Sequence, residues 1–157
     1  MTRGAARSVG PGGERSVAPL VVVFGATGAQ GGGLARASLA DPERRFRVRA
    51  ATRKPGSAAA RALAGAGAEI VAADLDDAAS VRRAMTDAHG AFCVTSFWEH
   101  FSPERELAQA RAMAQAAKAA GVAHVVWSTL EDTRGFLAPG TAMPVLGGRY
   151  NVPHFDA

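Results

Sequence analysis

Gly25, Gly28 and Gly31 stand at G-x-x-G-x-x-G spacing inside the run VVVFGATGAQGGG, residues 21–33. The run starts as a branched apolar strand and ends as the opening of a helix, and that setting gives the glycines chemical meaning. A glycine at the first position allows the positive φ of a tight turn. Missing side chains let backbone N–H groups approach a pyrophosphate, and the third glycine lets the helix pack on the strand. The N-terminus of that helix then offers N–H groups and a partial positive charge to an anion. A glycine-rich turn without a ligand is the alternative reading. A Walker A loop is excluded, because no Gly-Lys-Ser/Thr follows.

Other candidate residues fall where further strands end. A dinucleotide domain that selects NAD places Asp or Glu after its second strand, to accept from the ribose 2′-hydroxyl. This sequence has TRKPGS there, with Arg53 and Lys54 and no acid until Glu69. A carboxylate repels a 2′-phosphate and a guanidinium binds it, so the residues predict NADP(H) over NAD(H), unless both cations are only solvated loop charges. Asp74 and Leu75 follow the third strand, where adenine would lie. Asp74 is placed to accept from the adenine amino group, or else to cap a helix. Thr95, Ser96 and Phe97 follow the fourth strand, on the nicotinamide side, with Trp98 and Phe101 either part of that side or only a core cluster under the loop. Ser128 and Thr129 end the fifth strand, where a catalytic hydroxyl would stand. A short-chain reductase also needs a Tyr with a Lys four residues on, which lowers the Tyr pKa. Here Tyr150 is followed by His154, and no Lys occurs after Lys118. The four histidines form no HxxxH or HExxH pair, so no metal site is predicted.

The elements that position these residues alternate. Strands are predicted over 20–24, 46–52, 68–74, 91–95 and 123–129. Helices are predicted over 29–40, 57–66 and 77–89, the last with Val81, Ala84, Met85 and Ala88 inward. A fourth helix is capped by Ser102, carries Glu104 and Glu106 near its positive end, and closes at Gly121. Its inward face is predicted as Leu107, Ala110, Met113, Ala114 and Ala117. Five strands separated by four helices predict a doubly wound parallel α/β sheet (Rossmann type) in the order 3-2-1-4-5. Residues 1–18, rich in Gly, Arg and Ser, are expected as a disordered tail, and residues 19–157 as the dinucleotide-binding domain. Beyond Thr129 the pattern dissolves into a Gly- and Pro-containing loop.

Composition narrows the classes further. With 48% hydrophobic and 20% charged residues, the 157-residue chain is globular in type, and its apolar runs are too short to span a bilayer. Lys and Arg outnumber Asp and Glu by 18 to 14, but the cations are scattered, and no basic run interleaved with aromatics predicts direct nucleic-acid contact. The single cysteine, Cys93, excludes an internal disulfide and is expected as a buried thiol in a reducing, cytoplasmic setting.

Taken together, VVVFGATGAQGG, TRKP, AEIVAADLDD, VTSFWE, STLED and VPHFDA, in this order, resemble the NmrA-like proteins. The likeness is to their HSCARG-type NADPH sensors, an atypical branch of the short-chain dehydrogenase/reductases, and covers about residues 20–157. The resemblance implies NADP(H) contacts at Gly25, Ala26, Thr27, Gly28, Ala29, Gln30 and Gly31, then at Arg53, Lys54 and Ser57. Asp74 and Leu75, and Thr95, Ser96 and Phe97, complete that implied set. It implies a redox sensor without dehydrogenase activity, whose association with a regulatory partner, such as a transcription factor or a metabolic enzyme, follows the NADPH/NADP⁺ balance. Oligomers are compatible with it. A quinone- or isoflavone-type NADPH-dependent reductase is the alternative, with Ser128 and His154 as its candidate catalytic groups. Relatives place a Lys four residues after the position of His154 and continue into further strands and a smaller lobe. The sequence is therefore expected to correspond to their N-terminal half, incomplete at its C-terminus, with strand five as an exposed sheet edge.

Overall fold

The computed structural model describes residues 17–131. In chain order the elements are β1 (Leu20–Val23), α1 (Ala29–Leu39), β2 (Arg47–Thr52), α2 (Ala58–Gly65) and β3 (Glu69–Ala72). They continue with α3 (Ala78–Met85), β4 (Gly90–Cys93), a 3₁₀ turn (Phe97–Glu99), α4 (Pro103–Ala119) and β5 (His124–Trp127). All neighbouring strands pair in parallel, in the order β3-β2-β1-β4-β5. This is the predicted doubly wound sheet, with the reversal of strand order at β1. Tyr150, His154, most of the predicted tail and the predicted loop beyond Glu131 lie outside the described residues.

The central strands β1 and β4 are largely buried on both faces, which is why they read as apolar runs, whereas β2 alternates through Arg47 and Arg49. Val22, Phe24, Cys93, Val81, Met85 and Met113 form one core cluster, against α3 and α4. Val23, Ala26, Ala35, Val48, Ala50 and Leu63 form the other, against α1 and α2. The outermost strand, β5, leaves Val125 and Val126 exposed. Among the described residues no helix is long and apolar enough to cross a membrane.

Helix ends follow local chemistry. Ser57, Asp77 and Ser102 cap α2, α3 and α4, each accepting a backbone N–H in the first turn. The third helix stops four residues earlier than the apolar pattern predicts. Thr86 leaves the helical region, Asp87 takes φ +58°, and Ala88 is buried outside the helix. Arg49 on β2 explains the stop. Its Nη1 donates to the carbonyls of Ala84 (2.9 Å) and Thr86 (2.6 Å), while its Nε donates to Glu69 (2.9 Å). The guanidinium thus satisfies orphan carbonyls at the helix end.

In α4 the buried stripe is also shifted from the predicted one. Met113 and Ala117 are buried as expected, but Glu106, Gln109 and Ala116 take the inward positions. Leu107 and Ala110 are half-buried and Ala114 is exposed. The polar pair goes inside because each side chain finds a partner there, as described below.

Candidate functional site

A cleft of about 860 Å³ opens along the carboxyl ends of the strands. Its position is that of a ligand site in an open doubly wound sheet, beside the point where strand order reverses. Gly25, Thr27, Gly28, Ala29, Gln30 and Gly31 line it, as do Arg53, Lys54, Ser57, Asp74, Leu75, Thr95, Ser96 and Phe97. Ser128 and Thr129 line it as well. Ala26 is the predicted residue set apart: it is buried in the β1–α1 core cluster and does not line the cleft.

The glycine turn fits an anion by its bare backbone. Gly25 has φ +63°, and a Cβ there would come within 2.9 Å of Val94 Cγ1. A Cβ at Gly31 would stand 2.6 Å from the carbonyl oxygens of both Phe24 and Gly25, so this position holds α1 tight against the end of β1. Gly28 is the N-cap of α1 and provides no side-chain cap, unlike Ser57, Asp77 and Ser102 of α2, α3 and α4, and no acid stands in the first turn of α1. The opening turn of α1 therefore presents N–H groups and positive dipole to the cleft. A pyrophosphate suits this cradle in shape and charge.

The predicted 2′-phosphate contact is engaged within the protein. Arg53 Nη2 donates to Glu99 at 2.7 Å, with both side chains about half exposed. Lys54 lines the same cleft and makes no ion pair among the described residues. Asp74 is not the helix cap; that role belongs to Asp77. Instead Asp74 Oδ1 accepts the Asp76 N–H (3.0 Å), and its own N–H donates to Ser80 Oγ (2.9 Å). Ser57 lines the cleft while capping α2. Ser128 Oγ donates to Gln30 Oε1 at 2.6 Å, tying the end of β5 to the first turn of α1.

The β4–α4 side carries residues that the sequence reading did not select. Arg105 and Gln109 both donate to Asp76, holding its carboxyl well below the usual range, at about 2. Glu106 accepts the Thr95 hydroxyl proton on Oε1 and faces His100 Nε2 at 3.5 Å through Oε2. A Glu and a Gln three residues apart on an otherwise apolar helical stripe was the available signal for this group. Trp98 and Phe101 are not a core cluster. They are 62% and 63% exposed and pack edge-to-face with each other and with buried Phe97.

Comparison with known proteins agrees with this fold. A curated NmrA-like family domain-containing oxidoreductase, FrzB of Cladobotryum sp, is 39% identical over 114 residues, covering 70% of this chain and 33% of that protein. Among solved structures, the NADPH-dependent quinone oxidoreductase QOR2 of Escherichia coli, complexed with NADPH, aligns with a TM-score of 0.59. It is 29% identical and covers 73% of this chain and 38% of its own. NmrA, a negative transcriptional regulator, in complex with NADP, shares the fold with a TM-score of 0.67. It is 22% identical, over 89% of this chain and 40% of that one. This chain thus spans about a third of the length of the curated relative. The NmrA-like family matches residues 18–152, and the chain belongs to that family.

Proposed function

We propose that the chain binds NADP(H) across the cleft and serves as a redox-responsive regulatory module, without hydride-transfer activity of its own. The observation that carries the reading is the pairing of a bare, uncapped α1 N-terminus with Arg53 and Lys54 at the end of β2. The first suits a pyrophosphate. The second suits a 2′-phosphate, where an acid would select NAD. A regulatory role is supported by the shared fold with NmrA. On this reading the NADPH/NADP⁺ balance alters association with a protein partner.

A second reading, an NADPH-dependent reductase, is favoured by the oxidoreductase names of the curated relatives and by Ser128 at the cleft. Steady NADPH consumption with quinones would select it over the regulatory one.

Cofactor choice is tested by calorimetry with NADPH and NADH. Charge-assisted hydrogen bonds contribute roughly 1.5–3 kcal/mol. Arg53 must give up part of its Glu99 contact, so the lower end applies, and about a tenfold preference for NADPH is expected. Arg53→Ala should abolish that preference and leave NADH binding as it was. Equal affinity for both cofactors in the unaltered chain refutes the assignment.

A further inference from the structure

Among the described residues, Glu106 is the one buried acidic residue, and it sits against the cleft. Its environment has a definite hydrogen-bond polarity. The Ser102 N–H donates to His100 Nδ1 at 3.1 Å. A neutral imidazole has one donor and one acceptor nitrogen, so its proton is on Nε2, which faces Glu106 Oε2 at 3.5 Å. The His100 and Glu106 side chains are only 5% and 8% exposed. The other carboxyl oxygen takes the proton of the Thr95 hydroxyl. A threonine hydroxyl has one hydrogen, and here it is committed to Glu106. What Thr95 has left for the cleft is acceptor lone pairs.

We propose that Glu106, backed by His100, is a positioning residue that sets Thr95 as a hydrogen-bond acceptor for the carboxamide N–H of a bound nicotinamide dinucleotide. The inference rests on the NADP(H) reading above. Thr95 follows β4, across the strand-order reversal from Arg53 and Asp74, and so takes the nicotinamide half when those residues take the adenosine half. The carboxamide NH₂ is the donor that this half presents from its ring.

The substitution Glu106→Gln inverts the arrangement at nearly constant volume. His100 Nε2–H still requires an acceptor, which draws the new amide oxygen toward it. The amide NH₂ then donates to Thr95, whose hydroxyl proton is released toward the cleft as a donor. Three ligands of the full chain separate the possibilities by calorimetry. They are NADP⁺, its 3-acetylpyridine analogue (a methyl in place of the carboxamide NH₂) and adenosine 2′,5′-bisphosphate, which lacks the nicotinamide half. The unaltered chain should prefer NADP⁺ over the analogue about tenfold, and Glu106→Gln should bring the ratio close to one. Thr95→Val should lose the same preference, and Thr95→Ser should keep it. Adenosine 2′,5′-bisphosphate should bind all four chains alike, reporting that the fold and the adenosine site are intact. An unchanged NADP⁺ to analogue ratio in Glu106→Gln, with the bisphosphate still bound, overturns the role of Glu106 alone. Failure of the unaltered chain to bind the bisphosphate overturns the NADP(H) reading and the inference with it.

Discussion

Replacing Gly31 by Ala adds one methyl where α1 presses on the end of β1. In open helix the change stabilises by about 1 kcal/mol, because alanine has the better helix propensity. At Gly31 the new Cβ would stand 2.6 Å from two backbone carbonyl oxygens, those of Phe24 and Gly25. Neither oxygen can swing aside as a side chain would, so α1 must lift from β1, and overpacking of this kind costs roughly 1–3 kcal/mol or more. The net expectation is a loss of about 1–2 kcal/mol. Gly33, two residues along the same helix, is the internal control, since a Cβ there meets nothing within 4 Å. Gly33→Ala should gain close to the full propensity term, about 1 kcal/mol. For a chain of this size 1 kcal/mol moves Tm by about 3 °C. Calorimetric melts should therefore place Gly33→Ala about 3 °C above the unaltered chain and Gly31→Ala about 3–6 °C below it. If Gly31→Ala melts at or above the unaltered temperature, the account of α1 packed on β1 through that glycine is wrong.

Glu99→Gln removes the internal competitor for Arg53, and because exposed ion pairs are worth at most about 1 kcal/mol, NADPH should bind up to about fivefold more tightly, with NADH unchanged in the same titration. Asp76 has its folded pKa lowered to about 2, so its contribution to stability is present above the ordinary carboxylate value and fades as pH falls through about 2. With the Asp76 side chain 37% exposed, solvent screening limits that contribution to about 1 kcal/mol. Urea melts should show Asp76→Asn less stable at pH 7, with the gap closing between pH 4 and pH 2. Burial pushes the Cys93 thiol up to about 12, so a disulfide reagent at pH 8 should label the chain only in denaturant, and rapid labelling under native conditions would contradict its position in the core.

Much of the fold was legible because its signals are local and repeated. Most strands are short runs rich in apolar residues, each helix from α2 on has a capping Ser or Asp, and Gly67 and Gly121 take the positive φ that ends α2 and α4. Parallel pairing with right-handed crossovers then leaves few strand orders. The glycine turn was legible for the same reason. The other wall of the cleft was not. The positions of Glu106 and Gln109 are decided by partners on other elements, Thr95, His100 and Asp76, which no helical periodicity encodes. The Arg53–Glu99 contact joins residues 46 positions apart. The 3₁₀ turn at Phe97–Glu99 has little sequence signature, and two rings read as core proved to be surface.

The Arg49 tie binds the last turn of α3 to β2, a strand 35 positions earlier in the chain. Loss of that strand would uncover helix carbonyls that nothing local can satisfy. The end of α3 is therefore expected to open and close in register with the β2–β3 pair rather than with its own helix, as one cooperative unit in amide exchange. Arg49, whose partners Glu69, Ala84 and Thr86 all stand away from the cleft lining, thereby joins strand pairing and helix termination into a single block that stands or falls together.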